Sequence, residues 1–235
     1  MLRIRCGLLI LVLTFPLLAA AQARITGQVE VEHPSHAKGE KDSANVVVSL
    51  VPEGNTPIEV TPKRYRLAQK NKSFEKHLLV IPTGSIVDFP NFDPIFHNVF
   101  SLFEGQRFDL GLYETGSSRS VKFSKPGVSY IFCNIHPQME AIVVSLPTSW
   151  YAVTGPKGTF SIDDVPPGRY GLRVWYERAN PEDLSRLNRV VTVAGDTNFG
   201  SMTIRETSEV PPPHKNKYGR DYDVSSPDSP YLPGQ

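Results

Sequence analysis

Cysteine is nearly absent from this 235-residue chain, which has only Cys6 and Cys133. A surplus of one charge is also missing: 25 Lys and Arg face 24 Asp and Glu, for a formal charge of +1. Nucleic-acid binding needs a clearly basic face, so this balance gives that class no support. Beyond the first 23 residues no apolar run is long enough to cross a bilayer. No Gly-rich phosphate loop occurs, which removes the common nucleotide-binding motifs. Long helical periodicities are scarce too, because Pro 21 and Gly 17 punctuate the chain at short intervals and favour turns. What remains, at 40% hydrophobic and 21% charged residues, has the composition of a folded chain rather than a disordered one.

The N-terminus carries a compartment signal. Residues 1–23 hold Arg3 and Arg5, an apolar run from Gly7 to Ala20, and the small-residue ending Ala21-Gln22-Ala23. This is the pattern of a secretory signal peptide, so the mature protein is expected in the periplasm without a transmembrane segment. A retained membrane anchor is the alternative, opposed by the shortness of the run and by Pro16. Cys6 precedes the run, whereas a lipidation cysteine would follow it. Cleavage would remove two arginines and no acid, taking +1 to −1, and would leave Cys133 as the sole thiol. In an oxidising compartment a lone thiol makes no internal disulfide and is open to oxidation unless something occupies it. A buried, inert cysteine is the simpler alternative.

The body of the chain reads as strands. Ile25 to Val31 alternates apolar and polar residues with period two, and Asn45 to Pro52 is a second strand-like segment rich in valine. Further strands are expected at 77–81, 85–89, 97–102, 120–124, 128–133 and 140–146, then around 150–154, 160–162, 170–175, 189–193 and 198–204. The short spacing of turn residues is that of a β-sandwich and not of βαβ units. One helix start stands out at Asn180-Pro181-Glu182-Asp183, with a cap, a proline at the first position and two acids in the first turn. Residues 206–235 are rich in proline and are expected to be a flexible tail, with a docked extended arm as the alternative.

Chemistry concentrates in Cys133-Asn134-Ile135-His136-Pro137-Gln138-Met139, a C-x2-H-x2-M run on a connection between two strands. His97 enters another strand well upstream. Two imidazoles, one thiolate and a weak axial Met are the ligand set of a blue-copper electron-transfer site. The soft sulfurs suit Cu(I) while the imidazoles tolerate Cu(II). Core sulfurs with locally bonded histidines are one alternative. Zinc is another, although it prefers Cys, His and carboxylate to a thioether. A Cys-His nucleophile would lack both a third orienting group and an oxyanion loop. No His-x-His or Cys-x3-Cys pair occurs, which argues against a multicopper oxidase or a dinuclear copper site. Elsewhere, His33 and His36 lie in a polar loop, His77 begins a strand, and Lys63, Arg64, Arg66, Lys70 and Lys72 form a basic run. Each is ordinary surface by default, and the basic run is alternatively a docking face for an acidic partner.

Residues 62–147 resemble a cupredoxin of the plastocyanin and amicyanin type. The likeness is carried by Ile86-Val87-Asp88-Phe89-Pro90-Asn91, His97-Asn98-Val99, Tyr130-Ile131-Phe132-Cys133 and the short loop with Pro137 after the histidine. It implies a Greek-key sandwich, one copper ion per chain on His97, Cys133 and His136 with Met139 axial, and Asn98 hydrogen-bonded toward the Cys133 sulfur. It also implies His136 as the solvent-edge exit for the electron. The flanks resemble a carboxypeptidase regulatory-like, or transthyretin-like, sandwich through Ile25-Thr26-Gly27-Gln28-Val29, Ala44 to Leu50, Gly158 to Ile162 and Val165-Pro166-Pro167-Gly168-Arg169-Tyr170. Together they suggest an all-β chain in which residues 24–61 plus 148–205 form one small sandwich with the cupredoxin inserted. Two successive sandwiches are the alternative. The combination resembles exported bacterial methylamine-utilisation-type proteins. The implied role is a one-electron carrier and not an enzyme, serving a redox partner such as a cytochrome or dehydrogenase. A copper-delivery protein, or a structural or carbohydrate-binding protein using the cupredoxin as a scaffold, are the competing roles.

Overall fold

The computed structural model describes residues 22–34, 42–56, 58–102, 105–209 and 213–222. The expected leader up to position 21, His36 and the tail beyond 222 lie outside the described residues. Among the described residues the chain is all-β apart from one short helix. It opens with β1 (Ala23–Glu32) and β2 (Val47–Pro52). A middle block follows: β3 (Arg64–Arg66), β4 (Gln69–Lys70), β5 (Ser73–Phe74), β6 (Leu78–Pro82), β7 (Ile86–Pro90), β8 (Val99–Ser101), β9 (Phe108–Asp109), β10 (Ser118–Lys122), β11 (Gly127–Cys133) and β12 (Glu140–Leu146). It closes with β13 (Tyr151–Val153), β14 (Thr159–Val165), β15 (Gly168–Trp175), α1 (Pro181–Leu187), β16 (Arg189–Val193) and β17 (Thr197–Arg205).

Strand pairing sorts these elements into two groups. The opening and closing strands form two sheets, in the orders β14-β1-β17 and β13-β2-β15-β16. Among the described residues the middle block pairs within itself, as β10-β7-β3, β6-β12-β11-β8-β9 and the β4-β5 hairpin. Each group closes on its own core. Alternation along β1 turns Ile25, Val29 and Val31 inward, where they meet Leu50, Phe160, Tyr170 and Ile204. In the middle block Val87, Phe89, Val99, Phe123 and Ile131 share a cluster with Cys133 and Met139.

β2 and β13 are antiparallel neighbours, with Ser49 opposite Tyr151 and Val47 opposite Val153, although the whole middle block lies between them in sequence. The two connections meet where the Ser149 amide donates to the Glu59 carbonyl at 3.2 Å and the Thr61 amide to Ser149 Oγ at 2.9 Å. A third apolar cluster joins the groups: Val47 of β2 packs with Val80, Ile142 and Val144, flanked by Tyr151 and Trp175. Burying such a side chain is worth about 1.5–3 kcal/mol, so the seam holds the two groups in a fixed relation.

Local signals explain the punctuation. Gly158 closes the turn before β14 at φ +71°, where a Cβ would stand 1.9 Å from the Val29 carbonyl oxygen. The Asn180 side chain accepts from the Glu182 amide at 2.9 Å and caps α1 as its sequence predicts. Inside the same helix Asp183 is buried and ion-paired to Arg205 at 2.8 Å.

Residues 213–222 depart from the expectation of a flexible tail. His214, Lys217 and Tyr222 are hydrogen-bonded to the end of the middle block where β11 turns into β12. A segment too polar to build its own core can still be ordered when its side chains find partners on a core that already exists.

Candidate metal centre

Pairing of β11 with β12 sets Phe132 opposite Glu140 and leaves residues 134–139 as a tight connection. Two backbone bonds close it, from the Cys133 amide to the Met139 carbonyl at 3.2 Å and from the Met139 amide to the His136 carbonyl at 3.0 Å. On the other side of β11, Cys133 faces Val99 of β8, which brings His97 beside the same loop. The Asn134 amide donates to the Asn98 carbonyl at 2.9 Å, and His97 exchanges two backbone bonds with Tyr113 at 3.2 and 3.0 Å. The third donor is therefore delivered by sheet register, not by the loop itself.

His97, Cys133 and His136 converge. Their donor atoms all lie within 4.8 Å of one another, and all three residues are buried. Cys133 Sγ stands 3.7 Å from His97 Nδ1 and 3.6 Å from His136 Nδ1. Two donors at about 2.0 and 2.3 Å from one first-row ion, about 120° apart, would be about 3.7 Å from each other. The donor set thus fits a single ion. Met139 is fully buried in the same core cluster as Cys133.

Burial sets the protonation states. It pushes the His136 imidazole down to about 4, with His97 and then Lys72 adding to the effect. It lowers His97 as well, outweighing the Asp93 carboxylate. The Cys133 thiol is raised by burial, against the backbone amides of Asn98, Ile135 and His136 that face its sulfur. At neutral pH the metal-free donors are two neutral imidazoles and a thiol, so no uncompensated charge is buried, and a cation held there would displace the thiol proton.

Sequence reasoning missed Asp93. Its Oδ2 lies 2.9 Å from His97 Nε2 and accepts from the Lys72 amide at 2.8 Å, while Oδ1 accepts from the Asn71 amide at 2.5 Å. Burial works to raise this carboxyl, but the Lys72 amide, His97 and the Asn71 amide together hold it below its ordinary value. With Asp93 as acceptor, His97 carries its proton on Nε2 and turns the bare Nδ1 toward the sulfur. The signal available in the sequence was local turn chemistry, since the Asp93 amide donates to Asn91 Oδ1 at 2.9 Å in an Asn-x-Asp turn.

The other expected residues sort plainly. The Asn98 side chain donates to Asp109 Oδ1 at 2.6 Å, and it is the Asn98 backbone amide that addresses the Cys133 sulfur. His136, which the resemblance implies as the electron's exit, is 0% exposed. His33 bridges Glu206 and the Asp42 carbonyl, each at 2.7 Å, and His77 pairs with Glu177 at 2.7 Å. In the basic run Arg64 is committed to Asp88 and Arg66 to Glu75.

No protein family and no curated protein matches the chain. Among solved structures, part of it is similar to a copper-containing nitrite reductase from Thermus scotoductus, at 25% identity over 41% of this chain and 25% of that one, TM-score 0.33. A purple cupredoxin from Nitrosopumilus maritimus aligns at 24% identity over 34% of this chain and 98% of that one, TM-score 0.32. Amicyanin from Paracoccus versutus aligns at 18% identity over 44% of this chain and 99% of that one, TM-score 0.32. The alignment spans a quarter of the nitrite reductase's length. No described helix is long and apolar enough to cross a membrane.

Proposed function

We propose that the chain is an exported one-electron carrier that holds one copper ion on His97, Cys133 and His136, with Met139 as a weak axial donor. The observation that carries this reading is the buried meeting of two imidazole Nδ1 atoms with one thiol sulfur at 3.6–3.7 Å. Copper held there would supply a Cu(I)/Cu(II) couple. The chain's own residues do the remaining work. Asp93 fixes the His97 tautomer, the core around Ile131 and Val143 keeps water out, and two separate backbone segments, one carrying His97 and the other Cys133 to Met139, fix the donors. A donor set that cannot relax between oxidation states keeps reorganisation small, which suits a carrier more than a catalyst.

In this reading residues 62–147 are a cupredoxin unit inserted into a sandwich made of 24–61 plus 148–205. The neighbouring positions of β2 and β13 support the insertion, since a surface turn between paired strands tolerates it at least cost. The partner is a periplasmic redox protein, such as a cytochrome or a dehydrogenase.

The test is an optical and EPR spectrum of the mature protein after addition of Cu(II), beside a Cys133→Ser control. An intense visible thiolate-to-copper band, lost in the control, is the expected result. A colourless protein that binds no copper would overturn the reading.

A further inference from the structure

We propose that residues 213–222 are a working part of the metal centre: a strap that ties the ligand loop 133–139 to the segment carrying His97. Its consequence for copper rests on the reading above, but its ties exist in the protein alone.

The strap is a folded loop and not a loose thread. The Asn216 amide donates to the Arg220 carbonyl at 2.9 Å, the Gly219 amide donates to the Asn216 carbonyl at 2.9 Å, and Lys215 pairs with Asp221. Three of its outward bonds land on the ligand loop, at Cys133, Asn134 and Pro137. His214 Nε2 lies 2.6 Å from the Pro137 carbonyl, just after His136, and its ring stacks on Phe132 with centroids 4.0 Å apart. The Tyr222 hydroxyl donates to the carbonyl of Cys133 itself at 2.8 Å and stands 3.2 Å from His214 Nδ1.

Lys217 makes the decisive tie. Its amide donates to Asn134 Oδ1 at 2.9 Å, on the ligand loop. Its ammonium reaches Asp109 Oδ2 at 2.7 Å, and the other oxygen of that carboxylate accepts from the Asn98 side chain at 2.6 Å. One residue therefore bridges the loop with two donors to the residue that follows the third. The loop has few bonds of its own, so this outside bracing limits how far Cys133 and His136 can move from His97. His214, Lys217 and Tyr222 are positioning residues that act through the backbone and neighbours of the ligand loop.

The test compares the full chain with a full-length His214→Ala/Lys217→Met/Tyr222→Phe variant. Amide hydrogen exchange is read first, on the metal-free proteins. Exchange at residues 133–139 should be about tenfold faster in the variant, with β14 to β17 unchanged, because local opening is what such contacts restrain. Copper release to excess chelator is read second and should also quicken about tenfold. Lys217→Met alone should move both in the same direction, and Lys217→Arg should restore them. Equal loop exchange overturns the strap, whatever copper does. So does an equal release rate from two proteins that both hold copper. Faster loop exchange in a chain that binds no copper would uphold the strap while removing the electron-carrier reading.

Discussion

Asp93→Asn removes a charge while keeping the shape of the side chain, and the structure fixes what it should cost. The carboxylate accepts from three donors: the Asn71 and Lys72 amides and His97 Nε2. Asn71 lies on an exposed turn, so its amide can turn to water when the carboxylate is lost. His97 is 0% exposed and has no such recourse. An asparagine can offer its oxygen to one side only, and its own amide then faces a donor. One buried donor left unpaired costs about 1–3 kcal/mol, so urea denaturation of the metal-free chain should show a loss of about 2 kcal/mol. The effect on metal is separate. Without its acceptor the His97 tautomer is no longer fixed, and loss of such an outer partner costs about 10–100-fold in metal affinity. Competition against a chelator of known affinity measures it. The sign with pH follows from the lowered Asp93 value: its contribution is present above the unfolded value of about 3.9, is lost as pH falls through the lower folded one, and should be missing from the variant. Stability and affinity both unchanged would make Asp93 an ordinary turn residue and refute the argument that it orients His97.

Two further predictions concern the outer sandwich. Both ring nitrogens of His33 face acceptors, Glu206 and the Asp42 carbonyl, so the imidazolium is favoured and its pKa is raised first by the Glu206 bond. Its stabilisation, about 1 kcal/mol after screening, is present below about pH 6.5 and fades as pH rises through the folded value. The stability gap between wild type and His33→Gln should therefore shrink at alkaline pH, and a gap independent of pH would refute it. Asp183 is held far below the carboxylate range, first by the Arg205 guanidinium and then by the Arg205 amide. Arg205→Met should lower stability near neutrality in denaturant unfolding, with Arg186 left as the remaining partner of Asp183. That penalty should shrink as pH falls through the depressed folded value, and a penalty unchanged in acid would assign it to packing instead.

The strands were legible because their signals are local: β1 and β7 fall where apolar residues recur with period two, and β11 and β12 where short apolar runs are bounded by turn residues. Cys133 and His136 were readable for the same reason, standing three residues apart on one short connection. His97 was readable through its neighbours Asn98 and Val99, but its distance from the sulfur is a matter of the β8-β11 register, which no single segment encodes. Asp93 escaped because an acid beside a proline in a turn has many uses, and its meaning depends on where the 71–72 hairpin is packed. For the strap the sequence offered only the alternative of a docked arm, with no partners. Its partners lie 77 to 108 residues away in sequence for His214, Lys217 and Tyr222, and a polar, proline-rich composition describes only what a segment cannot do alone.

Carriage of an electron and delivery of a metal ion make opposite demands on one donor set. Delivery requires at least one donor to swing out toward a recipient, and a site built for it keeps a ligand on an exposed, loosely held segment. Here His97, Cys133 and His136 are each 0% exposed, and Met139 is equally enclosed. His97 is anchored through Asp93 and the Tyr113 bridge, Cys133 by its place in β11, and His136 by a loop whose flanks at Asn134 and Pro137 are both engaged by the strap. An electron needs none of these contacts to break, because it leaves without moving a nucleus far. A copper ion would need several to break in succession. Under the proposed reading the arrangement therefore suits carriage over delivery, and the strap would help to keep the ion in place.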